Sequence, residues 1–530
     1  MLFADLHAHP FLRPFQNRAN TNDLMSRNPN NTSCVWNMYN LPKHNLRNII
    51  GENAGFTTYS EADFTRAISS SVRLINVALY PIEKAFFEIP NTNTLDRLLS
   101  IFKLKYTAEV ELGYIVSSFS KNNIRKIKSD DYDYFEDVKE QIRYTKDTVP
   151  YSPDPAGCVG TVYSNIKDAT YTLLKNGSDI ISMDSDLNVR LLISIEGGNC
   201  VWSNFALANG DRWNGWNFNN YTDNNKLRTY KVLDVPDFRN AITKDIIENN
   251  PGKMNSLWPA EVCNKVMDNL RNILGSVKLF SFTMAHHFYN GLAGHCNSLQ
   301  PLTQLGLSDQ SFGIDSELTH LGYMVMNELL KNNVIPDMKH MSWKSRQSYY
   351  RYRANYYPQI PILWSHASVS GRKAVGEDQY VNTWNPNPFY QQTINLYDDD
   401  IFETVRSSGL IGIELDQRVN GVKDSNSVDT LWKQFQYIAE LVAITNRNPD
   451  KTVWDYMCLG SDFDGVINPI EQCKTYDDIF KLEDFLGAKI KEYMTHPPVS
   501  FKAQDKIDPD EILAKICYKN MVEFVERNFK

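Results

Sequence analysis

Short apolar, β-rich runs recur along the chain, and most break off at a polar side chain. LFADL (2–6), VRLINVALY (72–80), VRLLISIE (189–196), VKLFSFTMA (277–285), VIPDMKH (334–340), PILWSHA (361–367), LIGIEL (410–415) and YMCLGSDF (456–463) make eight. Continuous hydrophobicity, in place of strict alternation, reads as strands buried on both faces of a parallel sheet. Between the runs lie stretches with helical spacing. In ELTHLGYMVMNELLKNN (317–333), Leu318, Leu321, Val325, Leu329 and Leu330 fall near one face; Leu513, Ile516, Cys517, Met521, Phe524 and Val525 do the same near the C-terminus. Strands separated by crossovers, eight in number, predict an α/β fold, a TIM-type (β/α)8 barrel.

Two connections exceed an ordinary βα loop: residues 10–71, rich in asparagine, after strand 1, and residues 199–276, holding NGDRWNGWNFNNYTDNN, after strand 3. A further polar stretch fills 120–188. These read as insertions in a single barrel spanning 1–530, placed where barrel loops build active sites. Trp202, Trp213, Trp216 and Trp258 within them are expected in packed core before any ligand platform.

Composition narrows the partners. With 42% hydrophobic and 22% charged residues, the chain can bury a sizeable core, so disorder is not the expectation. A formal charge of −8 without a long basic run disfavours nucleic acid or an anionic membrane and favours a small molecule. The eight cysteines include no CxxC pair, which predicts thiols and no zinc ribbon. No signal-peptide pattern precedes DLHAHP and no apolar run of about 18 residues occurs, so a cytoplasmic chain without a membrane span is expected. A homodimer is compatible with the sequence.

The chemistry lies at the ends of the runs. His7 and His9 end the first, Glu196 the third, His340 the fifth, His366 the sixth and Asp462 the eighth, while His286 follows the fourth. A barrel gathers the carboxyl ends of its strands into one mouth, so these seven side chains should converge. A lone histidine at a strand end is more often a hydrogen-bonded structural residue, and an aspartate in GSDFDG can be turn chemistry. The same coincidence at six strand ends points instead to metal ligation. His287 and His295 could stand in for His286; His44, His320 and His496 have no strand-end context. Asp464 reads as a local turn residue. Asp337 reads equally as a carboxylate orienting an imidazole or as a buried salt link.

DLHAHP, ISIEGG, FTMAHHFYNGLAG, IPDMKHMS, ILWSHASVSG and LGSDFDGV together resemble the membrane (renal) dipeptidase-like branch of the amidohydrolase superfamily, in that family's order. The resemblance implies two divalent metal ions, with zinc first and manganese, iron or cobalt admitted by the same ligands. His7 and His9 would hold one ion, His340 and His366 the other, and Glu196 would bridge them. Asp462 would contact the first ion and the attacking water as general base and acid, and His286 would polarise the scissile carbonyl. Metal-activated hydroxide would then cleave the amide bond of a dipeptide or related small amide. Many relatives carry HxD where this chain has HxH. They also place an arginine before an Asn-Leu pair to bind the substrate carboxylate; here that pair follows Ile394, and Arg372 could serve instead or be a solvated loop residue. Two other readings remain: a barrel phosphoesterase, for which DLHAH is an equally good opening, and a non-catalytic binding barrel.

Overall fold

The computed structural model describes residues 1–18, 35–36, 57, 59–90, 104–148, 168–180, 187–208, 212–213, 243–249, 258–376, 384, 386–421 and 428–530. Each of the eight apolar runs coincides with or overlaps a strand: β1 (Phe3–Ala8), β2 (Val72–Leu79), β3 (Asn188–Glu196), β4 (Leu279–Thr283), β5 (Ile335–Asp337), β6 (Leu363–Ala367), β7 (Leu410–Ile413) and β8 (Met457–Leu459). Each pairs in parallel with the next in chain order. The longest register joins Leu74–Leu79 of β2 to Arg190–Ile195 of β3. Nearly every strand residue is buried, as expected when both faces are covered.

The barrel closes at its carboxyl end. Ala8 bridges in parallel to Phe463. His9 N–H donates to the Phe463 carbonyl at 2.8 Å, and Asp462 N–H donates to the His7 carbonyl at 2.9 Å. The seam between the first strand and the last therefore runs through three of the polar residues singled out by sequence. Backbones crowd here: a Cβ on Gly412 or Gly460 would meet the Ser365 carbonyl at 2.1 or 2.0 Å, so both positions require glycine.

Helices Ala260–Ser276, His320–Lys331, Trp343–Tyr356, Asp398–Arg406 and Val428–Ala443 cross over between successive strands from β3 to β8. Their starts follow local chemistry. The Thr319 hydroxyl accepts from Gly322 N–H at 2.9 Å, and the Ser342 hydroxyl accepts from Ser345 N–H at 3.0 Å. The apolar stripe of 317–333 is buried throughout. The C-terminal stripe lies on Pro509–Ala514 and Asn520–Asn528, joined through a wider turn at Lys515–Lys519.

Parts of the inserted stretches lie outside the described residues, Trp216 and His44 among them. The rest is secured to the barrel. Asp464 was expected to serve a local turn, and it does adopt φ 63°. It also accepts from Arg13 Nη1 at 2.9 Å and from the backbone N–H groups of Glu61 and Ala62 at 3.1 and 3.0 Å, which clamps both described ends of the first insertion. Trp202 and Trp258 are buried in the core, as expected. Cys200, Cys263, Cys296, Cys458, Cys473 and Cys517 are buried free thiols. Among the described residues no helix is long and apolar enough to cross a membrane.

Candidate metal centre

The pairing of β1 with β2 slips between Asp5 and Ala8, an irregularity of the kind that re-aims side chains at barrel rims. His7 and His9 meet there, with their Nε2 atoms 3.1 Å apart. Glu196, the last residue of β3, faces them with one carboxylate oxygen: Oε2 lies 3.1 Å from His9 Nε2 and 3.6 Å from His7 Nε2. Its other oxygen faces a second pair: Oε1 lies 3.2 Å from His340 Nε2 and 3.6 Å from His366 Nε2. Asp462 closes the first pair, with Oδ1 at 3.3 Å from His9 Nε2 and 3.7 Å from His7 Nε2, and its Oδ2 reaches to 4.0 Å from His366 Nε2. The five histidine and glutamate groups are at most 5% exposed, while Asp462 opens to the cavity with 15% of its side chain exposed.

Two triads, His7–His9–Glu196 and Glu196–His340–His366, thus share one carboxylate, and the ligating atoms in each lie within 4.8 Å of one another. The donor set fits divalent cations. Glu196 Oε1 is buried without a hydrogen-bond partner among the described residues, and imidazole nitrogens are drawn around carboxylate oxygens where a cation would satisfy all of them.

Backbone strain marks the same place. His340 and Asp462 adopt φ 64° and 61°, a left-handed conformation that costs non-glycine residues of order 1–3 kcal/mol. Buried carboxylates below the site brace these segments. Asp337 accepts from Ser365 N–H at 3.0 Å and from the Ser365 hydroxyl at 2.5 Å, and that hydroxyl lies 2.9 Å from His366 Nδ1. Of the two readings of Asp337, the structure shows the one that orients an imidazole, through a serine. Asp5 repeats the device at the seam, accepting from Ser461 N–H at 2.8 Å, from its hydroxyl at 2.5 Å and from the Tyr476 hydroxyl at 2.8 Å.

Burial alone would raise the Glu196 carboxyl, but the surrounding imidazoles, His286 and His7 foremost, hold it well below the usual carboxylate range. Burial and then His286 push His340 down to about 3, and burial with His7 pushes His366 well below its usual value. Both rings are therefore neutral at neutral pH, the state in which an imidazole could bind a cation. Burial also opposes charge on His9, yet hydrogen bonding to Asp462 and Glu196 raises it to about 10. A cation bound there displaces a proton.

His286 lies beside the centre, its Nε2 3.8 Å from Glu196 Oε2, and its ring meets that of His340 edge-on at 4.4 Å. His287 packs against His286 and hydrogen-bonds Ser298 through Nδ1 at 2.8 Å. His295 is fully buried; His320 opens one helix and His496 follows another. Arg372 is not brought in: its Nε donates to Gln391 Oε1 at 2.8 Å, and it does not line the cavity of about 630 Å³ over the centre. Ile394 does line that cavity.

Four residues near the centre were not singled out from the sequence. Lys339 and Glu414 form a buried ion pair at 2.5 Å on the cavity wall. Burial raises Glu414 to about 7 against the pull of Lys339. Arg418, also on the wall, is gripped through Nε by both oxygens of Asp416 at 2.9 Å, with 24% of its side chain exposed. Glu83 contacts His286 Nδ1 at 3.3 Å. Glu414 is the one charged residue of the run LIGIEL, next to its end, so its signal was present. Glu83, in YPIEKAFF beyond the second run, gave none.

No protein-family model and no curated protein matches the chain. Solved structures similar to it include a metallopeptidase from Rhodobacter sphaeroides liganded with a phosphinate mimic of the dipeptide L-Ala-D-Ala, at 11% identity and TM-score 0.47, covering 100% of this chain and 99% of that one. A dipeptidase described as a metallopeptidase shares 11% identity at TM-score 0.45, over 91% of this chain and 95% of its own. A probable dipeptidase from Pseudomonas aeruginosa shares 10% identity at TM-score 0.42, over 88% of each chain.

Proposed function

We propose that the chain is a binuclear metal-dependent hydrolase of dipeptidase type, cleaving the amide bond of a dipeptide or related small amide. The observation that carries this reading is Glu196, whose two oxygens are divided between two histidine pairs. His7, His9, Glu196 and Asp462 are assigned to one divalent ion, and Glu196, His340 and His366 to the other. Imidazole and carboxylate donors suit zinc, with manganese, iron and cobalt compatible. Such ions supply Lewis acidity and lower the pKa of a coordinated water.

The chain's own groups are placed for the remaining work. Asp462, open to the cavity beside both histidine pairs, is suited to take a proton from water and return it to the leaving amine. His286 presents Nε2 toward the centre, where a donor stabilises negative charge developing on the carbonyl oxygen. The cavity of about 630 Å³ is of small-molecule size. The guanidinium on its wall belongs to Arg418, partly exposed beside Asp416, and we assign the substrate carboxylate to this group in place of Arg372.

A dipeptide panel with added zinc or manganese, run beside a phosphomonoester, tests the reading. Metal-dependent cleavage of dipeptides is expected. Turnover of the phosphomonoester alone, or no dipeptide cleavage by protein carrying two ions, would overturn it.

A further inference from the structure

Glu83 lies on the run that leaves β2 and enters the short turn Lys84–Phe87. Its backbone is held from several sides. Gln141 donates to the Tyr80 carbonyl at 2.9 Å and accepts from Tyr80 N–H at 3.0 Å. Asn199 donates to the Pro81 carbonyl at 2.6 Å, and Lys84 N–H donates to the Tyr134 hydroxyl at 2.9 Å. The Glu83 side chain, in a residue only 4% exposed, is directed at one histidine segment. Oε1 accepts from His287 N–H at 3.0 Å; Oε2 accepts from the Tyr80 hydroxyl and stands 3.3 Å from His286 Nδ1. The Tyr80 ring also meets the His286 ring edge-on at 4.4 Å.

We propose that Glu83 is a positioning residue for His286, fixing its ring through Nδ1 so that Nε2 faces the carbonyl oxygen of the bound amide. This rests on the dipeptidase-type reading for the oxygen that His286 faces. The rest follows from the contacts. Oε1 is anchored on the backbone N–H of His287 and Oε2 is held by the Tyr80 hydroxyl, so the carboxylate is fixed from two sides where it meets His286 Nδ1. Glu83 is thus to His286 what a carboxylate is to a catalytic imidazole elsewhere: it sets which nitrogen faces the chemistry.

A double-mutant cycle on the metal-loaded chain tests this. Glu83→Gln should lower kcat about 100-fold, the loss that follows from removing one aimed donor, while KM and metal content hold. In a His286→Asn background the same change should cost no more than about twofold; equal losses in both backgrounds would mean independent sites and overturn the proposal. A fall in bound metal with either variant would make His286 a ligand and also overturn it. If Glu83→Gln does not fold, Tyr80→Phe, which removes one donor to the same carboxylate, should show a smaller loss coupled to His286 in the same way. Independently of turnover, the isotope-labelled histidine rings should show a downfield Nδ1 proton on His286 in the native protein that is absent in Glu83→Gln. Its persistence in the variant would sink the positioning role even if dipeptides prove not to be substrates, and absence of cleavage by the native chain would count only against the hydrolase reading.

Discussion

Replacing Glu196 by glutamine keeps the side chain's shape and removes one of its anionic ends. In the native chain Oε2 serves His7 and His9, and Oε1 serves His340 and His366. An amide offers one ligating oxygen, and its other end carries two N–H donors. Those donors would face imidazole nitrogens whose lone pairs are needed for a cation, so glutamine can complete one triad and must spoil the other. Bound metal is expected to fall from two ions per chain to about one. An ion present at 100 times its Kd stabilises the native state by about 2.7 kcal/mol. At about 2.1 cal/mol/K of unfolding entropy per residue, the loss of one such ion from a 530-residue chain lowers Tm by about 2–3 °C. Dipeptide turnover should fall further, by about 10²–10³-fold, because the lost contact acts on charge in the transition state. Elemental analysis, a thermal melt and a dipeptide assay on one preparation read all three. A Glu196→Gln protein that holds two ions and turns over at the native rate would refute the shared-carboxylate argument.

Asp462→Asn should keep the fold, since asparagine tolerates the left-handed φ of 61° at this position, and should lower kcat by about 10²–10⁴-fold if Asp462 carries the proton; a kcat within threefold of native, on the order of RT, would reject that role. Ser365→Ala removes the hydroxyl between Asp337 and His366 Nδ1 and should weaken metal binding by about 10–100-fold, read by chelator competition. Arg418→Met should raise KM for a dipeptide with a free carboxylate while sparing its C-terminal amide; an equal effect on both would show that Arg418 does not bind that group.

The barrel was legible because its signal is periodic: eight apolar runs, each buried on both faces, could belong to little else. The convergence of His7, His9, Glu196, His340, His366 and Asp462 followed from topology, since a parallel barrel places all carboxyl strand ends on one rim. Groups that arrive from outside the strand ends were hidden. Glu83 reaches His286 from a segment 203 positions away in sequence, through a loop whose course no local pattern encodes. Arg372 illustrates the complementary point: residue type can nominate a guanidinium, but where it points depends on a partner, here Gln391.

The two halves of the centre are built by one local rule. Asp5 on β1 precedes His7 by two positions, and Asp337 on β5 precedes His340 by three. Each is a buried carboxylate that takes the N–H and hydroxyl of a serine at the adjoining strand end, Ser461 for Asp5 and Ser365 for Asp337. Each serine immediately precedes a proposed ligand, Asp462 or His366. Burial pushes both carboxyls up while these hydrogen bonds pull them down, so the serines are partners the aspartates need as well as guides for the ligands. The stitch also explains how Asp462 holds a left-handed backbone. Its own N–H is spent on the His7 carbonyl and its predecessor is fastened from below, so the strain is fixed by contacts on two strands and the carboxylate is left to face the cavity. A site of this kind depends less on its ligands' own rotamers than on the layer beneath them, and that layer is written in the chain as an aspartate before one ligand and a serine before the next.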